Sequence, residues 1–250
     1  MEIFCTDLDN TIIYSYKHDI GDDKREVELY QGRNISYITG KTYELLKQVK
    51  KEYLMIPLTT RTEEQYKRIN LGIGEFKYAL VCNGGVLLVD GKKDEEWYEE
   101  SKRLAYDSKE KIKEALEILE KDTRRKFELR YIEELFLFTK CSDPEQVVRE
   151  LREALCSNLV EVFNNGEKIY VIPVNLSKGD AVRRLRVYLN ATRIIGAGDS
   201  EFDISMVEAA DIGLVPNGFK KKFNVDSDIV EMSENRIFSE ALLETCLNSK

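Results

Sequence analysis

Histidine is nearly absent from this chain: His18 is the single one in 250 residues. Ser-His-Asp and Cys-His chemistry therefore has little to draw on, and the polar run Tyr16-Lys17-His18-Asp19 reads as a solvated loop. Paired cysteines are missing as well. Cys5, Cys82, Cys141, Cys156 and Cys246 are scattered, with no CxxC spacing, which argues against a disulfide framework and a zinc site and makes the reducing cytoplasm the expected home. No apolar run approaches the roughly 20 residues that span a bilayer. The start, Met1-Glu2 before a short apolar run, lacks the basic and hydrophobic regions of a signal peptide. An excess of positive charge is also missing. At a formal net charge of −8, neither nucleic acid nor an anionic membrane is expected as a partner; protein partners stay open. A small anionic substrate would need a local cation and local basic groups.

What is present fits a soluble globular protein, with 42% hydrophobic and 34% charged residues. The length allows one large domain, or a core carrying a smaller one. Ile3 to Thr6 reads as a buried strand, and Tyr14 to Ser36 as a long polar loop or a small irregular hairpin. Thr39 is placed to cap a helix to about Lys51, with Thr42, Leu45, Leu46, Val49 and Tyr53 on one face. Strand signals at Leu54 to Leu58 and Tyr78 to Cys82 flank a helix from about Glu63 to Ile69. Pro57 is awkward in the first of these, since it cannot donate to a ladder. This alternation points to an α/β fold, a parallel sheet with helices on its faces.

After Gly85 the pattern changes to hairpins and amphipathic helices. Helix signals at Ser108 to Lys121 and from Asp143-Pro144 alternate with strand pairs, Phe127 to Tyr131 with Leu135 to Thr139, and Val160 to Phe163 with Lys168 to Ile172. Residues 86–172 thus read as a small α+β unit inserted into a core made of residues 1–85 and 173–250. The α/β pattern resumes with a helix opened at Ser177-Lys178, a strand at Arg193 to Ala197, a helix to about Ala210, a strand at Ile212 to Val215 and a closing helix at Ala241 to Leu247.

Ligands of open parallel sheets sit beyond the carboxyl ends of the strands. Those ends carry Asp7 and Asp9; Thr59, Thr60 and Arg61; Asn83 and Gly84; and Gly198 to Asp203. Lys178 opens a helix just before another strand. Asp7 and Asp9, spaced i and i+2 at one strand end, repel each other, so a proton or a cation is needed between them. The gathered groups are three or four carboxylates, a hydroxyl and an ammonium. Such hard oxygen donors favour Mg²⁺ together with a substrate phosphate, and the hydroxyl and ammonium suit phosphate oxygens.

In this order the residues resemble the haloacid dehalogenase-like phosphatases. The motifs are Asp7-Leu8-Asp9-Asn10-Thr11 after an apolar strand, Thr59-Thr60-Arg61, Ser177-Lys178-Gly179, and Gly198-Asp199 with Asp203. The insert resembles the type-IIB cap of Cof-like and sucrose-phosphatase-like members. The resemblance implies a Rossmann-like core and Mg²⁺-dependent hydrolysis of a small phosphorylated metabolite, a sugar phosphate above all. It implies Asp7 as nucleophile forming an aspartyl-phosphate and Asp9 as proton donor and acceptor. Asp7, the Asp9 carbonyl, Asp199 and Asp203 would bind the metal. Thr59 and Lys178 would hold the phosphoryl group, with Thr60, Arg61 and Asn83 as further substrate contacts, and the cap would close over the site. Thr60 departs from the pattern, where glycine is usual. Ser200 and Asp203 also form a capping box by themselves, Asn83 also suits a turn, Arg61 also suits an ion pair, and Lys220 to Lys222 suits a solvated face. A phosphomutase on the same nucleophile and a non-catalytic ligand-binding domain are the alternatives.

Overall fold

The computed structural model describes residues 1–155 and 158–249; Cys156 lies outside the described residues. The chain forms two units, Met1–Lys93 with Lys178–Lys250, and Asp94–Ser177.

The larger unit is built on a parallel sheet in the order Val230–Glu231, Ile212–Val215, Arg193–Ala197, Glu2–Thr6, Leu54–Pro57. Glu2–Thr6 has a partner on each side, and its Ile3, Phe4 and Cys5 are fully buried. A near-continuous apolar run is what a strand covered on both faces requires. On one face Phe4, Met55, Ile195 and Leu214 pack with Leu46 and Val49 of the helix Gly40–Glu52 and with Leu242 and Leu243 of the helix Phe238–Asn248. On the other face the helix Ile204–Ala209 comes so close that a Cβ on Gly213 would stand 2.5 Å from the Val207 carbonyl oxygen. Helices thus cover both faces, as the alternating pattern implied.

Local chemistry sets the element ends. Thr39 accepts a hydrogen bond from the Thr42 amide at 2.9 Å and caps Gly40–Glu52. Pro57 ends its strand, and the next amide, Leu58 N, donates to Thr6 O at 2.8 Å. Donors alternate sides along a strand, so the missing proline N–H faces away from Glu2–Thr6 and costs that pairing nothing.

The segment 14–36 forms the irregular hairpin that the sequence offered as one alternative, Lys24–Tyr30 with Arg33–Thr39, extended by Tyr14–Ser15 into a three-stranded antiparallel sheet. The structure differs from the sequence reading in three places. Val86–Val89 pairs antiparallel with Tyr78–Val81 inside the larger unit, so the division falls at Asp94 and Ser177 rather than at 86 and 172. The charged stretch after Asp94 is a helix, Glu95–Ala105, capped by the Asp94 carboxylate and burying Trp97, Ser101 and Ala105 at helical spacing. The short helix Phe219–Phe223 and the strand Val230–Glu231 gave no periodic signal.

The smaller unit pairs the antiparallel strands Val160–Asn165, Lys168–Pro173, Phe136–Lys140 and Arg130–Ile132 in that order. Leu137, Val171 and Val162 lie in one cross-strand row and pack with Ile112, Ala115 and Leu119 of the helix Lys109–Lys121 and with Val148 and Leu151 of the helix Pro144–Leu155. Among the described residues no helix is long and apolar enough to cross a membrane.

Candidate active site

Three segments of the larger unit bring the acidic residues together. Asp7 leaves the central strand, with its amide donating to Ala197 O at 2.8 Å. The chain then turns sharply: Leu8 O accepts from the amides of Thr11, Ile12 and Ile13, and Asn10 takes a left-handed conformation at φ 58°. Lys178 opens the helix Lys178–Tyr188 and is fully buried. Its Nζ donates to Asp7 Oδ1 at 2.7 Å and to Asp203 Oδ1 at 2.6 Å. A lysine buried to this depth needs such partners. Burial alone would lower its pKa, but Asp203 and Asp7 outweigh burial and hold it above its ordinary value, so the group stays an ammonium.

Asp203 uses both carboxylate oxygens. Oδ1 takes Lys178, while Oδ2 accepts from the Asp199 amide at 3.0 Å, the Ser200 amide at 2.9 Å and Ser200 Oγ at 2.7 Å. It holds the 199–200 turn and anchors the lysine at once. Gly198 makes room for it, because a Cβ there would stand 2.3 Å from Asp203 Cβ and Cγ. Gly198→Ala is expected to cost about 1–3 kcal/mol and to displace Asp203, read as a fall in the denaturant midpoint. An unchanged midpoint would mean that Asp203 has room to shift.

Asp199 is oriented by Thr11, whose Oγ1 donates to Asp199 Oδ1 at 3.1 Å. Asp7, Asp199 and Asp203 each present a carboxylate oxygen, and the three atoms lie within 4.8 Å of one another. Asp7 is raised well above the ordinary carboxylate range by burial, with Lys178 opposing and Asp203, Asp199 and Asp9 adding to the rise. Asp199 is pushed up to about 7 by burial and then by Asp203. One ammonium does not balance this much buried negative charge. The donor set fits a hard divalent cation held by Asp7 and Asp199, with Asp203 already committed elsewhere.

The Asp9 carboxylate also has a charge partner within the protein. Asp9 turns to Arg61, which donates from Nε to Asp9 Oδ2 at 2.7 Å and from a terminal nitrogen to Asp9 Oδ1 at 2.8 Å. The same guanidinium grips Glu28 at 2.8 and 2.9 Å and reaches Gln65 O at 3.4 Å. Its N–H groups are all occupied by Asp9, Glu28 and Gln65, which is the ion-pair arrangement the sequence offered beside a substrate contact. Glu28, Ser36, Arg68 and Thr11 were not singled out from the sequence. Thr11 lay within the first motif, whereas Glu28 had no signal in a charged hairpin.

Thr59 is fully buried. Its Oγ1 accepts from the Arg61 amide at 3.2 Å, which leaves its hydroxyl hydrogen for another acceptor. Thr60 is half-buried in the bend that follows. The Asn83 and Cys82 amides donate to Thr59 O and Arg61 O at 2.9 and 2.7 Å. The left-handed run Cys82, Asn83, Gly84 aims those amides at the Thr59 loop. A cavity of about 310 Å³ opens beside Asp199, lined among others by Asn10, Tyr14, His18, Asn217, Lys222 and Phe238. His18 is exposed, with Nδ1 3.2 Å from Ser15 Oγ.

The chain is similar in sequence and in fold to known proteins. A phosphoglycolate phosphatase of Sulfurisphaera tokodaii is 29% identical over 219 residues, covering 84% of this chain and 86% of that protein. The sucrose-phosphatase of Synechocystis, solved with sucrose and phosphate, superposes with a TM-score of 0.67 at 17% identity, over 98% of this chain and 96% of that one. A haloacid dehalogenase-like hydrolase from B. subtilis gives 0.63 at 13% identity, over 99% of each chain. The family model for haloacid dehalogenase-like hydrolases matches residues 87–221, more than half of the sequence. By this match the chain belongs to the haloacid dehalogenase-like hydrolases.

Proposed function

We propose that the protein hydrolyses a small phosphomonoester in a Mg²⁺-dependent reaction through an aspartyl-phosphate on Asp7. The observation that carries this reading is the buried ammonium of Lys178 between Asp7 and Asp203. A carboxylate meets an anionic phosphate only where fixed positive charge offsets the approach. Asp7 attacks phosphorus, the bond to the leaving oxygen breaks, and Asp9 supplies that oxygen with a proton. Water then attacks the acyl phosphate and gives its proton to Asp9, which frees inorganic phosphate and Asp7. The Thr59 hydroxyl and Lys178 hold phosphoryl oxygens, with Thr60 and Asn83 shaping the Thr59 loop. Asp7, Asp199 and the Asp9 carbonyl would hold the Mg²⁺, which supplies a charge clamp on the phosphoryl oxygens.

The cavity of about 310 Å³ beside Asp199 is at the small end for ligand sites. It favours a compact substrate, such as the phosphate ester of a two-carbon acid or of a sugar. The test is phosphate release from p-nitrophenyl phosphate, 2-phosphoglycolate and a sugar-phosphate panel, with and without Mg²⁺. No release from any of them would reject the reading.

The raised acid pKa values give a second check. In the metal-free protein, the contribution of Asp199 to stability is complete below its ordinary value of 3.8 and is lost as pH rises through about 7. Asp7 acts in the same direction. Thermal midpoints in chelator should therefore fall across that window, and Mg²⁺ should restore them most at its alkaline end. A Mg²⁺ benefit that does not vary with pH would remove Asp199 from the ligand set.

A further inference from the structure

Glu28 is a carboxylate buried without a role in the reaction just described. Its side chain is 0% exposed, yet it stays ionised. Burial alone would raise its pKa; hydrogen bonds from Arg61 and Ser36, the Arg61 charge and Arg68 bring it below the ordinary value instead. Four donors converge on it: two Arg61 nitrogens, Ser36 Oγ at 2.6 Å and Arg68 Nε at 3.2 Å. The hairpin is distorted to deliver it. Register shifts on both sides of Glu28 make a bulge, and Val27 and Glu28 both turn inward where a regular strand would alternate.

The Arg61 guanidinium is shared by two carboxylates of different freedom. Glu28 is sealed in the interior, whereas the Asp9 side chain is 42% exposed at the site. A planar fork fixed along one edge presents its other edge in one orientation. We propose that Glu28 is a positioning residue: by fixing Arg61 from beneath the hairpin, it fixes the Asp9 carboxylate where the leaving oxygen departs. The proposal rests on Asp9 being the proton donor. Attachment of the hairpin is a separate matter, secured by the Asn70 amide on Val27 O at 2.8 Å and by the bridge between Glu28 and Ile69.

The test separates positioning from mere stability through the leaving group. An aryl oxide departs without a proton, and an alkoxide does not. The constant kcat/KM covers only the steps through leaving-group departure, so the later role of Asp9 toward water does not enter it. For Glu28→Gln, kcat/KM should fall roughly 10- to 100-fold on the alkyl phosphate that the wild type hydrolyses best, and at most about 3-fold on p-nitrophenyl phosphate. Glu28→Asp, which keeps the charge, should recover part of the alkyl activity. If Glu28→Gln does not fold, the double variant Glu28→Gln with Arg61→Met removes both charges of the buried pair and should show the same selective loss. Equal falls on both substrates, in either variant, would overturn the positioning role. A wild type inactive on both substrates would instead reject the phosphatase mechanism, and this proposal with it.

Discussion

Asp7→Asn should release almost no inorganic phosphate, with a loss of roughly 10⁴-fold or more, on the scale of removing a nucleophile from a concerted group. The reasoning is chemical. An amide oxygen cannot attack phosphorus to give an acyl phosphate, and no neighbouring side chain stands in the same place. Asp203 is buried behind Lys178 with both oxygens bonded, and Asp199 carries the bond from Thr11. Asn keeps the shape of Asp, and Lys178 keeps Asp203, so the fold should persist. The measurement is phosphate release from p-nitrophenyl phosphate, beside circular dichroism of the same sample. Activity within about tenfold of wild type would remove Asp7 from the nucleophile's role.

Lys178→Met should be the most destabilising single substitution of the site. It leaves Asp7 and Asp203 buried without their ammonium, and breaking one side of a buried ion pair costs about 3–5 kcal/mol. Uptake of a proton by Asp7, already raised by its surroundings, softens part of that cost. The fall should therefore be larger in alkaline than in acidic buffer, in chelator. Adding Asp203→Asn should return part of the loss, since a second charge is removed with the first. Denaturant midpoints read both effects. A fall below about 1 kcal/mol would mean that Lys178 is not the cation that balances the site.

Most of this site was legible because its groups stand where an apolar pattern stops. Asp7 and Asp199 follow runs that can only be buried strands, and Lys178 follows a cap residue at the start of a helix. Such positions follow from local sequence, and the parallel sheet then gathers them. Glu28 was illegible for the opposite reason. In Lys24-Arg25-Glu26-Val27-Glu28-Leu29-Tyr30, simple alternation puts Glu26 and Glu28 outside and Val27 and Leu29 inside. The bulge reverses this after Val27, so Glu28 is buried and Leu29 is 60% exposed. A bulge is a tertiary decision, made here by Arg61 and Arg68, and period counting does not see it. Arg61 was ambiguous on the same account, since its partner could not be placed. The helix Glu95–Ala105 was readable in principle from its Asp94 cap and its i, i+4, i+8 inward residues, but its charge density hid them.

The sheet order also sets a sequence of events in time. The strand Glu2–Thr6, which leads into Asp7, is made well before one of its two neighbours, Arg193–Ala197. Everything needed for the Asp94–Ser177 unit, and for the Lys24–Thr39 hairpin, is synthesised in between. Both are local in sequence and close short loops, which makes them early folders. Until Arg193–Ala197 is made, Glu2–Thr6 has only Leu54–Pro57 to pair with in this sheet. Lys178 is made shortly before that neighbour and Asp199 just after it. A chain truncated before Arg193–Ala197 therefore carries the nucleophile and Lys178 but lacks Asp199 and Asp203.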